Sequence, residues 1–377
     1  MDLELDDDQQ VLRSSARELL DAICPPALVR RVHEDGEQAR DEVDRLWTTL
    51  CAHDWPAVGV PNSGGGLGLG FVEVGILVEA LGRVVAPGPF LATSAQFVPA
   101  ILTAGSGVCL AGVASGARTG TVAASAGGRW SQEAVGVRAV RGSGGGWSLS
   151  GGASHVLDGA TADEVVVVAR GEGGCGLFLV PGDAVVAEPL ATMDPTLPLA
   201  DLELDAVPVH ADRVLVEPGD PRAGGIVQQV LDVATVAMAL SMVATCRRIL
   251  ELTIAHALDR EQFGRPIGSF QAVQHRLADC HLAVERADAL AWFAVATVAE
   301  GDDRLPVAAS MAKVAAGDCQ RLLTRDGLQL HGGIGYTWEH DLHLWLKRAV
   351  TGEQLAGTSV AHRARLARLL GLEAPCG

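Results

Sequence analysis

A chain of 377 residues exceeds the usual length of one domain and can bury a large core. Its 48% hydrophobic and 20% charged residues exclude the disordered class, and a net charge of −17 speaks against a nucleic-acid surface or an anionic membrane. A small or uncharged partner is expected. The eight cysteines, Cys24, Cys51, Cys109, Cys175, Cys246, Cys280, Cys319 and Cys376, form no CxxC pair and no spacing suited to zinc or a disulfide framework, so reduced thiols are expected. The opening "MDLELDDDQQ" is acidic and carries no basic n-region, which predicts no signal peptide and a cytoplasmic protein.

In chain order, residues 1–116 read as a helical unit. In "DDDQQVLRSSARELLDAI" Asp8 is a candidate cap, and Val11, Leu12, Ala16, Leu19 and Leu20 recur near helical spacing. The loop "GGGLGLG" resembles a nucleotide fingerprint, but Phe71 stands where a dinucleotide loop needs its last glycine, so it reads as a turn before the helix "VEVGILVEALGRV". Residues 117–218 change texture to short apolar runs between glycines, such as "EVVVVAR", "CGLFLVPG" and "ADLELDAVPV". Period-two alternation at Leu202, Leu204 and Ala206 predicts a small antiparallel β-domain without βαβ units. Residues 219–377 return to helical texture. "VATVAMALSMVATC", Val233 to Cys246, is uncharged but shorter than the roughly 20 residues of a membrane span, so it predicts a helix buried in a bundle. The stripe Phe270, Val273, Leu277, Cys280, Val284, Ala287 and Ala291 predicts a second long helix packed on others. The predicted class is α+β: helices, a β-domain, then a helical bundle.

Two stretches carry chemistry. In "REQFGRPIGSFQAVQHRLADC" (260–280), Arg260 offers a planar fork of donors suited to a pyrophosphate, Phe263 an apolar face, and Gly264 with Pro266 a break before Gln271 opens the next helix. In "QLHGGIGYT" (329–337), Gln329 offers an amide able to bind adenine or ribose, and Gly332, Gly333 and Gly335 permit close backbone approach.

With both stretches in this order, the chain resembles the acyl-CoA dehydrogenase family over nearly its whole length, most weakly in the β-domain. The resemblance implies a C-terminal four-helix bundle, FAD as cofactor, and α,β-dehydrogenation of an acyl-CoA thioester. It also implies that Arg260, Phe263, Gln271, Gln329, Gly332 and Gly333 reach across a dimer interface to the ADP half of a neighbour's FAD, with Thr358 as a further cofactor contact. The family assembles as a dimer of dimers.

Other features expected from that resemblance are missing. The family's glutamate base precedes a Gly-Thr pair, which here is Gly357–Thr358, and the preceding residue is Ala356. An alternative base position on the central buried helix is Ala234. Asp232 lies two residues away, about 200° around the helix, so its side chain is expected to point off the required face. Glu353 remains as a weak alternative base. The family's isoalloxazine-holding motif corresponds to "AASAGGRWSQ" (123–132), and an aromatic and hydroxyl pair near flavin N5 corresponds to His155 and Leu157, of which leucine donates no hydrogen bond.

Loss confined to one half of the site suggests a non-catalytic subunit of a heteromeric enzyme. Such a subunit contributes its ADP-half residues to a paralogous catalytic chain, and mixed assemblies of this kind are associated with bulky acyl groups such as sterol side-chain thioesters. The alternatives are a self-sufficient flavoenzyme with a relocated base and a non-enzymatic scaffold. No metal site is expected. His331 is read as packed or solvent-exposed, Asp341, Lys347 and Arg348 as the charged surface or interface face of a helix, and "HRARLARLLGL" (362–372) as an amphipathic segment facing a neighbouring subunit.

Overall fold

The computed structural model describes residues 4–36, 38–142 and 145–372. The chain opens with helices α1 (Asp7–Ile23), α2 (Pro26–Glu34), α3 (Arg40–Ala52), α4 (Phe71–Arg83), α5 (Phe90–Ala92), α6 (Val98–Thr103) and α7 (Leu110–Ala114). Asp6 caps α1 in place of the expected Asp8. Its carboxylate accepts the Gln9 N–H at 2.8 Å while the Gln9 side chain accepts the Asp6 N–H at 3.1 Å, so two donors left free at the helix start are satisfied together. Asp8 lies in the first turn, where negative charge faces the positive end of the helix dipole. Between α5 and α6 the backbone widens into a buried π-type turn at Thr93–Phe97, a feature often found at functional sites.

The middle region contains β1 (Gly120–Ala123), β2 (Ser125–Ala126), β3 (Arg129–Trp130), β4 (Val137–Arg141), β5 (Trp147–Leu157), β6 (Glu164–Gly171), β7 (Gly174–Pro181), β8 (Val186–Leu190), β9 (Leu199–Val209) and β10 (Val214–Val216). The main sheet runs β10-β7-β6-β4-β5-β9-β8, with β1 also on β6. It is mixed, which corrects the expectation of a purely antiparallel domain: β1 and β4 both run parallel to β6, with Gly120 opposite Glu164 and Val137 opposite Ala169. The cause is the path of the chain. β5 returns antiparallel to one side of β4, and β6 then pairs on the other side, running in β4's own direction. β6 is buried on both faces, with Val166 and Val168 in one core and Val165 and Val167 in another, so its valines run unbroken where a one-sided strand would alternate.

After the sheet come α8 (Ala223–Asp259), the small hairpin β11 (Glu261–Gln262) and β12 (Arg265–Pro266), α9 (Gln271–Glu300), α10 (Leu305–His331), α11 (Leu342–Gln354) and α12 (Ser359–Leu369). α8 is the axis of this bundle. It is long and apolar enough to cross a membrane, but 83% of its most apolar stretch is buried inside the protein, between α9, α10, α11 and α4. It passes α4 closely at Gly82, whose carbonyl accepts the Thr245 hydroxyl at 2.9 Å. A methyl group at Gly82 would stand 2.7 Å from the Ser241 carbonyl oxygen, so a larger residue forces the two helices apart.

Arg348 departs from its expected role as a surface charge. It is 4% exposed, with Nε 2.8 Å from Asp194 Oδ2 and Nη2 donating to the Ala86 carbonyl at 2.8 Å and the Thr196 hydroxyl at 2.7 Å. α11 lies across the junction of the three regions, so this face of the helix meets the loop after α4 and the segment between β8 and β9. Lys347 sits over the Trp338 ring at 4.2 Å, and Asp341 pairs with Arg30.

Candidate active site

Where β1 ends, the chain leaves the edge of β6, turns through the β2–β3 hairpin, and rejoins that edge as β4. This excursion walls a cavity of about 560 Å³ between the sheet and the bundle. Trp130 reaches from β3 to α8, its indole N–H donating to the Leu231 carbonyl at 3.2 Å. His155 and Leu157 enter from β5, where the pairing with β9 slips between Ala153 and Val156 and His155 takes a φ of 56°. Its backbone N–H is held by Asp201 Oδ1 at 2.8 Å. Gln96 enters from the π-type turn and Met238 from α8, and the loop after α11 closes the remaining side.

That loop carries the position where the resemblance places a base. Ala356 and Gly357 have φ of 52° and 83°, and both line the cavity. His362, buried on α12, donates through Nε2 to the Ala356 carbonyl at 2.9 Å and takes the Ser310 hydroxyl on Nδ1 at 3.2 Å. A carbon side chain on Gly357 would approach His362 Nε2 to 2.8 Å, so both the backbone angle and the histidine require glycine there. Burial lowers the His362 imidazole to about 4, which keeps it a neutral bridge.

Among the described residues that line the cavity, none carries a carboxylate, and His155 is the one titratable side chain. Ala234 is fully buried in α8 and does not line it, although Met238, one turn later, does. Glu353 points elsewhere. Its Oε1 accepts the Ser359 N–H at 3.0 Å and hydroxyl at 2.6 Å, and its Oε2 lies 3.7 Å from Lys313 Nζ. Lys313 is fully buried and also donates to the carbonyls of Gly352 and Glu353 at 3.1 and 3.0 Å. Burial lowers its ammonium to about 8, with Glu353 opposing the shift, so Glu353 serves as its counter-ion. Asp232 likewise pairs with Arg365, with 2.9 Å between Oδ2 and Nη2, and does not line the cavity. Burial holds its carboxyl above the ordinary range despite that partner.

The second group of expected site residues meets at the far end of the bundle. Arg260 terminates α8, and the hairpin that follows leaves Phe263 93% exposed with a φ of 54°. Gln271 begins α9, Gln329 lies in the last turn of α10, and Gly332 and Gly333 follow it. Stacking of His256 on His331, with ring centres 4.4 Å apart, joins the two stretches. Arg260, Gln271 and Gln329 are exposed, and a side chain at Gly332 or Gly333 would meet nothing within 4 Å. Thr358 is engaged differently from this group: its hydroxyl caps α12 by accepting the Ala361 N–H at 3.2 Å.

Helices, a middle sheet and a helical bundle, with a cavity between the last two, form the frame that holds both groups of residues. The chain belongs to the acyl-CoA dehydrogenase family, whose N-terminal domain model matches residues 6–108 and whose C-terminal domain model matches residues 224–371. It is 31% identical over 354 residues to acyl-CoA dehydrogenase IpdE2 of Mycolicibacterium smegmatis, covering 94% of this chain and 96% of that one. Among solved structures it is similar to the ChsE4–ChsE5 complex from Mycobacterium tuberculosis, with a TM-score of 0.86, 27% identity and 100% of both chains covered. It also resembles the Tcur3481–Tcur3483 steroid acyl-CoA dehydrogenase, with a TM-score of 0.86, 31% identity and 97% and 98% covered. Members are FAD-dependent oxidoreductases acting on a CH–CH bond.

The two ends fit that cofactor unequally. At the outer end, a guanidinium, two amides and an open glycine turn are the donor set and close approach that an ADP group requires. At the cavity, Leu157 offers no donor where a hydroxyl is expected, Ala356 offers a methyl, and the indole of Trp130 forms part of the wall. The sequence reading missed Trp130, Lys313 and His362. A lone lysine within "PVAASMAKVAAG" is a visible signal of a buried charge, whereas the contact of His362 with Ala356 leaves no local trace.

Proposed function

We propose that the chain is a non-catalytic subunit of a heteromeric cytoplasmic acyl-CoA dehydrogenase, pairing with a paralogous chain that carries the glutamate. The observation that supports it is the contrast within one molecule: a cavity whose described lining has no carboxylate, and an outward-facing set of residues that the family resemblance assigns to ADP. In this reading the chemistry that FAD would supply, when bound by the partner, is acceptance of a hydride from the β-carbon of an acyl thioester. Arg260 would hold its pyrophosphate, Gln271 and Gln329 its adenosine half, and Phe263 would cover it with an apolar face. The likeness to a steroid dehydrogenase supports a bulky, sterol-derived acyl group as the substrate class. The engagement of Glu353 with Lys313 and Ser359 speaks against a relocated base there.

The test is co-expression with the paralogous chain, followed by native mass and visible spectrum. The expected product is a mixed tetramer carrying flavin at about half of its chains. Arg260→Ala in this subunit alone removes a charge-assisted hydrogen bond of about 2 kcal/mol, a loss of flavin affinity of roughly 30-fold. A stable yellow homotetramer that turns over acyl-CoA alone would sink the proposal, as would a mixed complex whose flavin affinity ignores Arg260→Ala.

A further inference from the structure

Beside the glycine turn, three imidazoles from separate elements converge. His256 lies in the last turn of α8, His331 ends α10, and His340 lies just before α11. One nitrogen from each lies within 4.8 Å of the other two. His331 is 5% exposed, and its Nδ1 proton goes to the Gly327 carbonyl at 2.7 Å, a bond that fixes the tautomer and leaves the lone pair on Nε2. That buried Nε2 has no hydrogen-bond partner among the described residues. A buried acceptor without a partner is costly in a folded protein, and here its neighbours are two more imidazoles.

We propose that His256, His331 and His340 form a binding site for a divalent transition metal of the zinc class. A backbone carbonyl holding one ring nitrogen while the other faces the metal is the usual support of a histidine ligand. A tetrahedral site with metal–nitrogen bonds of about 2.0–2.1 Å places its nitrogens roughly 3.4 Å apart. The nitrogens therefore draw together by up to about 1.4 Å, and His256 and His340, both only half-buried, supply that movement. His340 Nδ1 accepts the Leu342 N–H at 3.1 Å. On ligation the ring gives up this bond and frees the Leu342 amide, one of the first-turn donors that α11 does not satisfy itself. The fourth position goes to water. The metal ties the end of α8 to the end of α10 and the start of α11, and so clips the turn that carries Gly332 and Gly333.

This site does not depend on the heteromeric reading, because its ligands all belong to this chain. The experiment is titration with Co2+ of the full chain in whichever assembly it purifies, read by visible absorption, with His331→Ala and His340→Ala introduced in this chain alone. Expected is about one cobalt per copy of the chain, with d–d bands of a four-coordinate site and no thiolate charge-transfer band, both lost in the variants. Wild-type protein that takes up no cobalt overturns the proposal, as does uptake unchanged by His340→Ala, whose half-exposed ring can be removed without opening the core. A thiolate band overturns it by placing the metal on cysteine.

Discussion

The two ends of the C-terminal bundle are built on opposite principles. Behind the cavity wall the polar groups are consumed inside the chain: His362 by Ala356 and Ser310, Glu353 by Ser359 and Lys313, and Arg348 by Asp194, Thr196 and the Ala86 carbonyl. At the glycine-turn end Arg260, Gln271 and Gln329 face outward. Groups used up internally have little left for a ligand, whereas the exposed side chains at the turn end remain open to one. Within one domain, then, the cavity end is tied together internally, and in the proposed reading the turn end serves a partner outside the subunit.

The largest effect that would break this contrast comes from Arg348→Met. Asp194 is fully buried, and removing its guanidinium leaves an uncompensated charge, which costs about 3–5 kcal/mol. Arg260→Ala, at the exposed end, is expected to shift stability by no more than about 0.5 kcal/mol. Denaturant midpoints of the two variants measure the difference. Equal destabilisation would mean that the outer end is also structural.

The second effect is a pH dependence at the cavity end. His362 is lowered by burial to about 4 in the fold, below its ordinary 6.5, so between those values the unfolded chain binds the proton that the folded chain refuses. Stability therefore falls as pH drops from 6.5 towards 4 and is fully present above that window. His331 and His343, also lowered to about 4 by burial, act in the same direction. His362→Gln keeps a donor for the Ala356 carbonyl but does not titrate, so its acid-induced loss should be smaller than wild type's by up to about 3 kcal/mol. Parallel stability curves between pH 4 and 7 would show that His362 is not held neutral.

The order of helices, sheet and bundle was legible because burial writes itself into spacing. The uncharged run from Val233 to Cys246 and the valines of β6 have few other uses. The place of Ala356 on the cavity wall was legible for a different reason: the glycine turn and the loop after α11 are a fixed count apart, so Ala356 could be located by counting. What stayed hidden depends on contacts distant in sequence. Arg348 directly follows the only partly buried Lys347, and nothing local reveals that its turn meets Asp194 across the domain junction. The direction of β6 likewise follows from which side of β4 it joins, a choice that alternation within a strand does not encode.

The smallest effect separates resemblance from local structure at Thr358. The family pattern makes this residue a cofactor contact, whereas its hydroxyl here accepts the Ala361 N–H and starts α12. Thr358→Ala removes a helix cap and should cost about 1 kcal/mol, while Thr358→Ser keeps the oxygen and most of that stability. If capping is its whole role, both variants retain flavin in the mixed assembly as wild type does. Loss of flavin in the alanine variant, with the serine variant normal, would instead assign the hydroxyl to the cofactor. Part of the cavity end would then be organised for a ligand after all, and the contrast between the two ends would weaken at the one residue the family pattern and the fold assign differently.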